Sequence, residues 1–478
     1  MIFNNANHID DKGDYMKIIQ PMTSIMKNLM LRSVKNYYRP SRYNIIVDYD
    51  GATLLYNILT RELAEIDSFE KEVLEKKLIT VSEYQLPEKT RIIELLQKHL
   101  IVEIQEDETQ TYFEVYNIIK SMMPPKAGIG CYKIFTTTVC NARCFYCFEG
   151  NITKLNMNTD CADSVARYIL ETKKEGKLIL SWFGGEPLCN TKAIDLITKR
   201  LHQENVEFVS EFTTNGYLFN RNNVNKAVND WNTKKVQITL DGMDDEHNRR
   251  KAFTVSSSNP FREIIGNIHL LLDANIHVSI RINIDQNNVD DAKLLVDFLD
   301  KEFPKKKHLS VYPSILFEEC AAWKDKRKDE AVKQLEEACS EIRKDIDNRE
   351  FIGTGRLLST QKRLSRNMRL EFCMSNNSSC SVIGADGKLY TCQSLTDSEE
   401  YSYGDIWNGI TNPTLREAWL TNDEPQEKCR ECKWLPECTA FSMCPVTAND
   451  CAATRSDIMR SRIIATYRHS KTPQEPVR

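Results

Sequence analysis

The stretch TTTVCNARCFYCFEG, residues 136–150, decides the fold because three cysteines follow an apolar run with the spacing CxxxCxxC. This spacing puts Cys140, Cys144 and Cys147 on one loop, where three thiolates can converge. Four thiolates complete a structural zinc or iron–sulfur site, whereas three leave one coordination position open for a substrate or cofactor. The pattern therefore predicts an open metal site. A three-thiolate zinc site and a group of buried cysteines without a metal are the alternatives.

Three further segments end strand-like apolar runs in polar turns: KLILSWFGGEP at 177–187, VEFVSEFTTNG at 206–216 and KKVQITLDG at 234–242. Taken singly, such turns usually only terminate a strand. Barrel active sites, however, are built where parallel strands end. Together with the cysteine loop, the turns predict one site at the carboxyl ends of neighbouring strands.

From about residue 130 to 320, six β-rich runs alternate with helical patterns. The runs are CYKIFTTT, KLILSW, EFVSEF, KVQITL, IHVSIRINI and HLSVYPSILF. Strand–helix repeats with right-handed crossovers give an α/β fold with a parallel sheet. Periodicity alone equally allows a partly closed barrel and a doubly wound sheet.

The cysteine loop, with Tyr146 before its last cysteine, is followed by these motifs in an order that resembles the radical S-adenosylmethionine (SAM) superfamily. The resemblance implies a partial (β/α)6 barrel and a [4Fe-4S] cluster on Cys140, Cys144 and Cys147 that binds SAM. In that family, the turn containing Glu186 meets the amino group of SAM. The SAM and substrate contacts implied in this way are Tyr146, Gly184, Gly185, Glu186, Pro187, Asn215, Thr239, Asp241 and Arg281. Arg281 is equally compatible with an ordinary position on the rim.

Eight cysteines lie in the last quarter of the chain. The spacing of Cys429, Cys432 and Cys438, preceded by GKLYTC at 387–392, resembles the SPASM extension, which holds two auxiliary [4Fe-4S] clusters. The resemblance assigns the first cluster to Cys373, Cys380, Cys392 and Cys444, and the second to Cys429, Cys432, Cys438 and Cys451. The spacings around Cys444 and Cys451 depart from the family pattern, so their assignment is open. A pair of structural zinc sites is the alternative.

Residues 40 to 120 predict a hairpin at Asp50–Gly51, two short helices and a strand at 100–104. This winged-helix-like pattern resembles the element with which peptide-modifying enzymes bind a leader peptide by strand addition. A purely structural cap is the alternative. The predicted domains are 1–120 for leader-peptide recognition, 121–325 for the radical SAM barrel, 326–370 for a charged helical connector and 371–478 for the SPASM domain.

Composition excludes several classes of protein. The chain of 478 residues has 64 Lys and Arg against 68 Asp and Glu, a net charge of -4, which gives no drive toward nucleic acid or an anionic membrane. No signal peptide or membrane span is evident, so a cytoplasmic location is expected, and sixteen cysteines there favour metal over disulfides. The five cysteines outside the motifs are expected to pack in the core, although Cys320 with Glu318 and Glu319 could face the barrel mouth. These five are Cys131, Cys161, Cys189, Cys320 and Cys339.

These features together resemble a radical SAM peptide maturase that uses three [4Fe-4S] clusters, a precursor peptide with a leader and a flavodoxin- or ferredoxin-like electron donor. The expected product is a thioether from cysteine to another residue's carbon. A carbon–carbon crosslink and sulfatase-type maturation are alternatives, as is a non-catalytic iron–sulfur scaffold or electron carrier. Sulfatase-type maturases resemble this chain but carry a basic carboxylate after the third SPASM cysteine. This chain has Gln393 there, which cannot take up a proton at neutral pH.

Overall fold

The computed structural model describes most of the chain outside its ends and several internal segments. The described residues are 16–29, 34–123, 127–150, 152–304, 307–316, 330–349, 351, 364–368, 370, 373–396, 398–421, 427–437 and 453–471. Several residues with predicted roles lie outside these ranges, namely Glu318, Glu319, Cys320, Cys438, Cys444 and Cys451.

The N-terminal region forms two small antiparallel sheets, ordered β1-β5-β4-β3 and β6-β2-β7, with four helices. The elements are β1 Lys17–Gln20, α1 Ser24–Leu29, β2 Tyr37–Pro40, β3 Asn44–Tyr49, β4 Ala52–Asn57, β5 Leu63–Ile66, α2 Ser68–Glu75, β6 Ile79–Thr80, α3 Glu88–Gln97, β7 Ile101–Glu103 and α4 Glu108–Met122. The hairpin β3–β4 turns at Asp50 and Gly51, whose φ angles of 51° and 74° suit a two-residue turn with mirror-image geometry. The predicted hairpin is therefore present.

The central region alternates strands and helices as predicted. Its elements are β8 Cys131–Thr137, α5 Thr159–Thr172, β9 Leu178–Gly184, α6 Thr191–Gln203, β10 Phe208–Thr214, α7 Arg221–Asn229, β11 Thr233–Leu240, α8 Asp244–Lys251, α9 Pro260–Asp273, β12 His277–Ile284, α10 Val289–Glu302, β13 Leu309–Ile315 and α11 Glu330–Asn348. The strands β8 to β13 are parallel and neighbour one another in chain order. A doubly wound sheet would reverse this order, so the winding is that of a barrel. Among the described residues, the sheet is open at β13.

One face of each parallel strand is covered by helices, because every crossover returns on the same side. Ile134, Trp182 and Ile238 are completely buried on this face. The opposite face carries polar side chains and lines the concave interior. The charged helix predicted as a connector, α11, buries its stripe of Val332, Leu335 and Ile342 and packs against β13 and α10. It therefore also belongs to the outer helical layer.

The C-terminal region extends the central sheet. Its elements are β14 Cys380–Ile383, β15 Lys388–Tyr390, β16 Ser402–Asp405, β17 Gly409–Ile410, α12 Pro413–Leu420 and α13 Ala453–Lys471. Strand β14 pairs in parallel with β8, and β15 to β17 continue as an antiparallel meander. The barrel and the cysteine-rich region consequently share one sheet of ten strands.

The N-terminal region shares its core with the C-terminal one. Tyr56 and Tyr112 pack in one cluster with Trp434 and Ile463 of the C-terminal segment. The buried Arg61 guanidinium also pairs with Glu437 and donates to the carbonyl of Pro436 at 3.2 Å. Removing the N-terminal region would expose this apolar surface, so point substitutions test its role better than truncation does. None of the described helices is long and apolar enough to cross a membrane.

Candidate functional site

Three consecutive threonines fasten the cysteine loop to the carboxyl end of β8. The Thr136 hydroxyl donates to the carbonyl of Pro187 at 3.1 Å, Thr137 to that of Leu155 at 2.9 Å and Thr138 to that of Thr153 at 2.6 Å. The backbone also closes the loop, since Thr138 N donates to Leu155 O at 2.9 Å. The loop is thus held at both ends while its centre, with the three cysteines, has no regular structure.

Two glycines bring the next strand end against this loop. Gly185 N donates to Thr137 O at 3.1 Å, and Glu186 N donates to Val139 O at 2.9 Å. A Cβ on Gly184 would lie 2.1 Å from Thr137 O, and one on Gly185 would lie 2.4 Å from Val139 O. Gly184 also has a φ of 116°, which other residues rarely adopt. The Gly-Gly pair is therefore required for the close approach of β9 to β8.

This approach buries the Glu186 carboxylate completely between strand ends. It accepts hydrogen bonds from Thr214 Oγ1 at 2.8 Å, from Asn215 N at 2.9 Å and from Leu188 N at 3.3 Å. Burial raises the pKa of Glu186 from its usual 4.5 to about 7, against the opposing effect of these donors. The motifs Gly-Gly-Glu-Pro and Thr-Thr-Asn-Gly are therefore joined through one carboxylate.

The first cysteine lies beside this carboxylate. Burial, and then the charge of Glu186, raise the pKa of the Cys140 thiol to about 12. Asn215 Nδ2 lies 3.9 Å from Cys140 Sγ and donates to Asn141 Oδ1 at 2.7 Å. The structure thus places three of the predicted site residues, Cys140, Glu186 and Asn215, in direct proximity.

The other two cysteines follow on the same loop. Cys147 N donates to Cys144 O at 3.1 Å, and the charge of Cys144 acts on both Cys140 and Cys147. In the ranges described, no three His, Cys, Asp or Glu side chains surround a single metal ion. A cubane needs wider spacing than one ion, because each thiolate binds a different iron. Cys140 and Cys144 are half-buried and Cys147 is exposed, and these three soft thiolates would hold a three-cysteine cluster.

A second group of predicted residues meets around Asp241, at the end of β11. Tyr146 Oη donates to Asp241 Oδ2, and Asn283 Nδ2 donates to Asp241 Oδ1 at 3.1 Å. Lys251 Nζ lies 3.5 Å from the same carboxylate and donates to Tyr146 Oη at 2.7 Å and to Thr239 Oγ1 at 2.8 Å. Although burial alone would raise it, the charge of Lys251 holds the pKa of Asp241 below its usual value.

Lys251 is the residue of this site that the sequence motifs do not indicate. It ends α8 and is almost fully buried, and Asp241 raises its pKa although burial would lower it. Its carbonyl accepts from Arg143 N at 2.8 Å and lies 3.9 Å from Cys144 Sγ. In the sequence it is one of three consecutive basic residues, 249–251, and no local pattern distinguishes it from its exposed neighbour Arg249.

Arg281 lies on the concave face, on the strand next to the second group. The strand register aligns it with Thr239 on one side and with Tyr312 on the other. Its Nε is buried and has no hydrogen-bond partner among the described residues. Tyr312 Oη instead donates to Gln237 Oε1 at 2.9 Å. Arg281 therefore keeps one unpaired donor on the concave face among the described residues.

The C-terminal cysteines lie at the opposite end of β8. Cys380 begins β14, Cys392 follows β15 and Cys373 precedes both. The loop between Cys373 and Cys380 is held by Arg416 of α12, which donates to the carbonyls of Ser375, Asn377 and Cys380 at 3.0 to 3.3 Å. Cys429 and Cys432 form a separate turn near the N-terminal region, where Thr109 Oγ1 donates to Arg430 O at 2.5 Å.

Residues 134–299, from β8 into α10, match the family model described as the radical SAM superfamily. The matched segment contains the cysteine loop and the strand ends just described. The α/β fold with its parallel sheet is therefore the radical SAM fold, as the motifs predicted.

Relatives match at low identity. A probable GTP 3′,8-cyclase of Methanococcus maripaludis strain C7 is 25% identical over 115 residues, which cover 24% of this chain and 37% of the cyclase. The match thus spans little more than a third of that relative. The Fe-coproporphyrin III synthase of Methanosarcina barkeri strain Fusaro is 21% identical over 330 residues, covering 63% of this chain and 80% of the synthase.

Among solved structures, native anSMEcpe with bound AdoMet superposes with a TM-score of 0.53 at 16% identity, covering 72% of this chain and 100% of that one. The same protein with bound AdoMet and Cp18Cys peptide gives a TM-score of 0.51 at 16% identity, covering 71% and 99%. At this identity, the likeness shows a shared fold.

Replacing Lys251 by methionine is expected to reduce the free energy of unfolding by about 3 kcal/mol, because the Asp241 carboxylate stays buried and loses a paired cation. Urea denaturation of variant and wild type at equal metal content measures this. Arg249→Met, at an exposed position of the same helix, is the control and should change stability by less than about 1 kcal/mol. Equal effects of the two substitutions would show that the network does not stabilise the fold.

Glu186→Gln is expected to flatten the dependence of stability on pH. Because the pKa of the folded state is raised from 4.5 to about 7, the native state binds more protons than the unfolded chain between these values. Stability should therefore fall by up to about 3 kcal/mol as pH rises through this window. The substitution also leaves one hydrogen-bond donor around position 186 without a good acceptor, but the free-energy cost of that loss does not depend on pH.

Urea denaturation of the metal-free protein at a series of pH values measures the slope. Glu207→Gln, at an exposed glutamate preceding β10, is the control and should retain the wild-type slope. A Glu186→Gln slope equal to that of wild type would contradict the raised pKa.

Proposed function

We propose that this chain is a radical SAM maturase that installs a thioether, from cysteine to another residue's carbon, in a ribosomally made precursor peptide. The observation that carries the proposal is the placement of a three-cysteine loop beside the buried Glu186 carboxylate at the mouth of the parallel sheet. Three thiolates leave one iron open, and Glu186 offers a negative group for the ammonium of SAM. A pure electron carrier has no use for this second feature.

When bound, the cluster would pass an electron to SAM, and cleavage of SAM would supply the 5′-deoxyadenosyl radical that abstracts a substrate hydrogen. The chain's own residues provide position. Tyr146, Asp241 and Lys251 hold the cysteine loop against α8, and the Gly-Gly pair holds Glu186 against Cys140. Arg281, with its free donor on the concave face, would bind a carboxylate of SAM or of the peptide. Such positioning is the protein's main contribution to cofactor chemistry.

The residue after Cys392 supports a thioether over sulfatase-type maturation. Gln393 Oε1 accepts from Lys133 Nζ at 2.5 Å, so this position provides an amide bonded to a cation instead of a basic carboxylate. A thioether needs loss of the cysteine thiol proton and of one electron, which an auxiliary cluster would accept, but it needs no carboxylate at this position. A carbon–carbon crosslink uses the same radical and is the second product that the experiment distinguishes.

The N-terminal region has features suited to a peptide. The small sheet β6-β2-β7 has two edge strands that are open to strand addition among the described residues. Tyr37 is 55% exposed at the start of β2, and Ile104, 47% exposed, directly follows β7, which pairs with β2. Leu78, 50% exposed, precedes β6 on the same sheet. An exposed apolar face beside open edges suits a leader peptide with alternating apolar residues.

The proposed chemistry is tested by anaerobic co-expression with a short cysteine-rich precursor peptide, followed by mass spectrometry. We expect the peptide to lose the mass of two hydrogen atoms per crosslink and to lose one alkylatable thiol for each. A variant with Cys140, Cys144 and Cys147 replaced by alanine should give unmodified peptide and no SAM cleavage. Hydrogen loss with every thiol still alkylatable would indicate a carbon–carbon link. SAM cleavage by the triple variant, or stoichiometric zinc with little iron, would refute the proposal.

The peptide-binding role is tested with the double variant Tyr37→Ser and Ile104→Ser. We expect at least a tenfold loss of affinity for the labelled precursor peptide, measured by fluorescence anisotropy, because apolar contact area is lost at the sheet. SAM cleavage without peptide should be unchanged. Leu294→Ser, at a 57% exposed position on α10, is the matched control. Wild-type affinity of the double variant would mean that this sheet is only a structural cap.

A further inference from the structure

Three thiols lie side by side where β8, β14 and β15 meet. The parallel register pairs Cys131 at the start of β8 with Cys380 at the start of β14, and their side chains are within hydrogen-bonding reach. The antiparallel register pairs Val382 with Tyr390, and Cys392 follows β15 with extended backbone, so continuing the register by two residues puts Cys392 opposite Cys380. Residues paired in this way project from the same face of a sheet. All three thiols therefore share the concave face.

A fourth thiol and a cation join this group. Lys133, two residues along β8 from Cys131 on the same face, is within electrostatic range of Cys131, Cys392 and Cys373. Its ammonium is positioned by Gln393 Oε1 at 2.5 Å and by the Phe183 ring, whose centroid is 4.8 Å away. Arg416 holds the loop that carries Cys373. Three of the four thiols thus act on one half-buried cation, which would favour an anionic group among them.

The sequence resemblance assigns three of these cysteines to the first auxiliary cluster and leaves Cys131 to core packing. The structure adds a contact to that expectation, because the half-buried Cys131 side chain meets the thiol of Cys380. We propose that Cys131 is the fourth ligand of the first auxiliary iron–sulfur site, with Cys373, Cys380 and Cys392. The inference rests on the proposed function only in that the chain binds auxiliary clusters.

This ligand set accounts for the irregular spacing further along the chain. If Cys131 completes the first site, the second needs only one cysteine beyond Cys429, Cys432 and Cys438, and either Cys444 or Cys451 suffices. The first strand of the barrel then binds a metal site at each end. Its seven residues separate Cys131 from the end that carries the cysteine loop by about 20 Å, at roughly 3.3 Å per residue.

The test uses the full-length variant with Cys140, Cys144 and Cys147 replaced by alanine, purified anaerobically, so that all remaining iron belongs to auxiliary sites. Three further proteins are made from this variant, each with one added substitution: Cys131→Ser, Cys444→Ser or Cys161→Ser. Cys161 is a buried cysteine on α5, and its substitution is the control. Iron and sulfide per chain are measured with the electron paramagnetic resonance spectrum after reduction. Circular dichroism checks folding, and Cys131→Val replaces the serine variant if that one does not fold.

We expect Cys131→Ser to lose about half of the iron, or to keep it with a shifted spectrum if the serine oxygen ligates. The Cys161→Ser protein should keep both clusters and the parent spectrum, and Cys444→Ser should keep the cluster that Cys131→Ser loses. Wild-type iron and spectrum in Cys131→Ser would overturn the inference, as would loss of the same cluster in Cys444→Ser. A parent variant that contains no iron would refute the auxiliary clusters of the proposed function, and this inference with them.

Discussion

The close approach of the ends of β8 and β9 is the constraint on which the candidate site depends. Only glycine allows it, because a Cβ at Gly184 or Gly185 would overlap the carbonyl oxygens of Thr137 or Val139. The approach places Glu186 beside Cys140 and within reach of the end of β10. The backbone contact between these strand ends thus sets the distance from the Glu186 carboxylate to the cysteine loop. The same contact removes water from the carboxylate.

The second part of the site depends on charge compensation in a buried place. Asp241 and Lys251 would each be costly to bury alone, but together with Tyr146 and Asn283 they form a connected polar network. Through Lys251, this network also links α8 to the cysteine loop. Electrostatic compensation and loop position are therefore provided by the same residues, and this suits a site that must hold a cofactor rigidly.

The larger architecture couples the three regions of the chain. The cysteine-rich region continues the barrel sheet through β14, and the N-terminal region shares a core with the C-terminal segment. A peptide bound at the outer N-terminal sheet would therefore contact a module that is fixed to the C-terminal region. Shared cores of this kind limit relative motion, since any displacement exposes apolar surface.

The sequence by itself determined the parallel sheet, the hairpin at Asp50–Gly51 and the three-cysteine loop, because strand periodicity, turn residues and motif spacing are local properties. It also indicated Glu186, Asn215 and Asp241 at strand ends. Only the tertiary structure decided their neighbours. Lys251 looks like any surface cation in the sequence, and Cys131 like a core residue, because burial and strand register between segments distant in the chain decide both. Such contacts arise from packing, which no local pattern encodes.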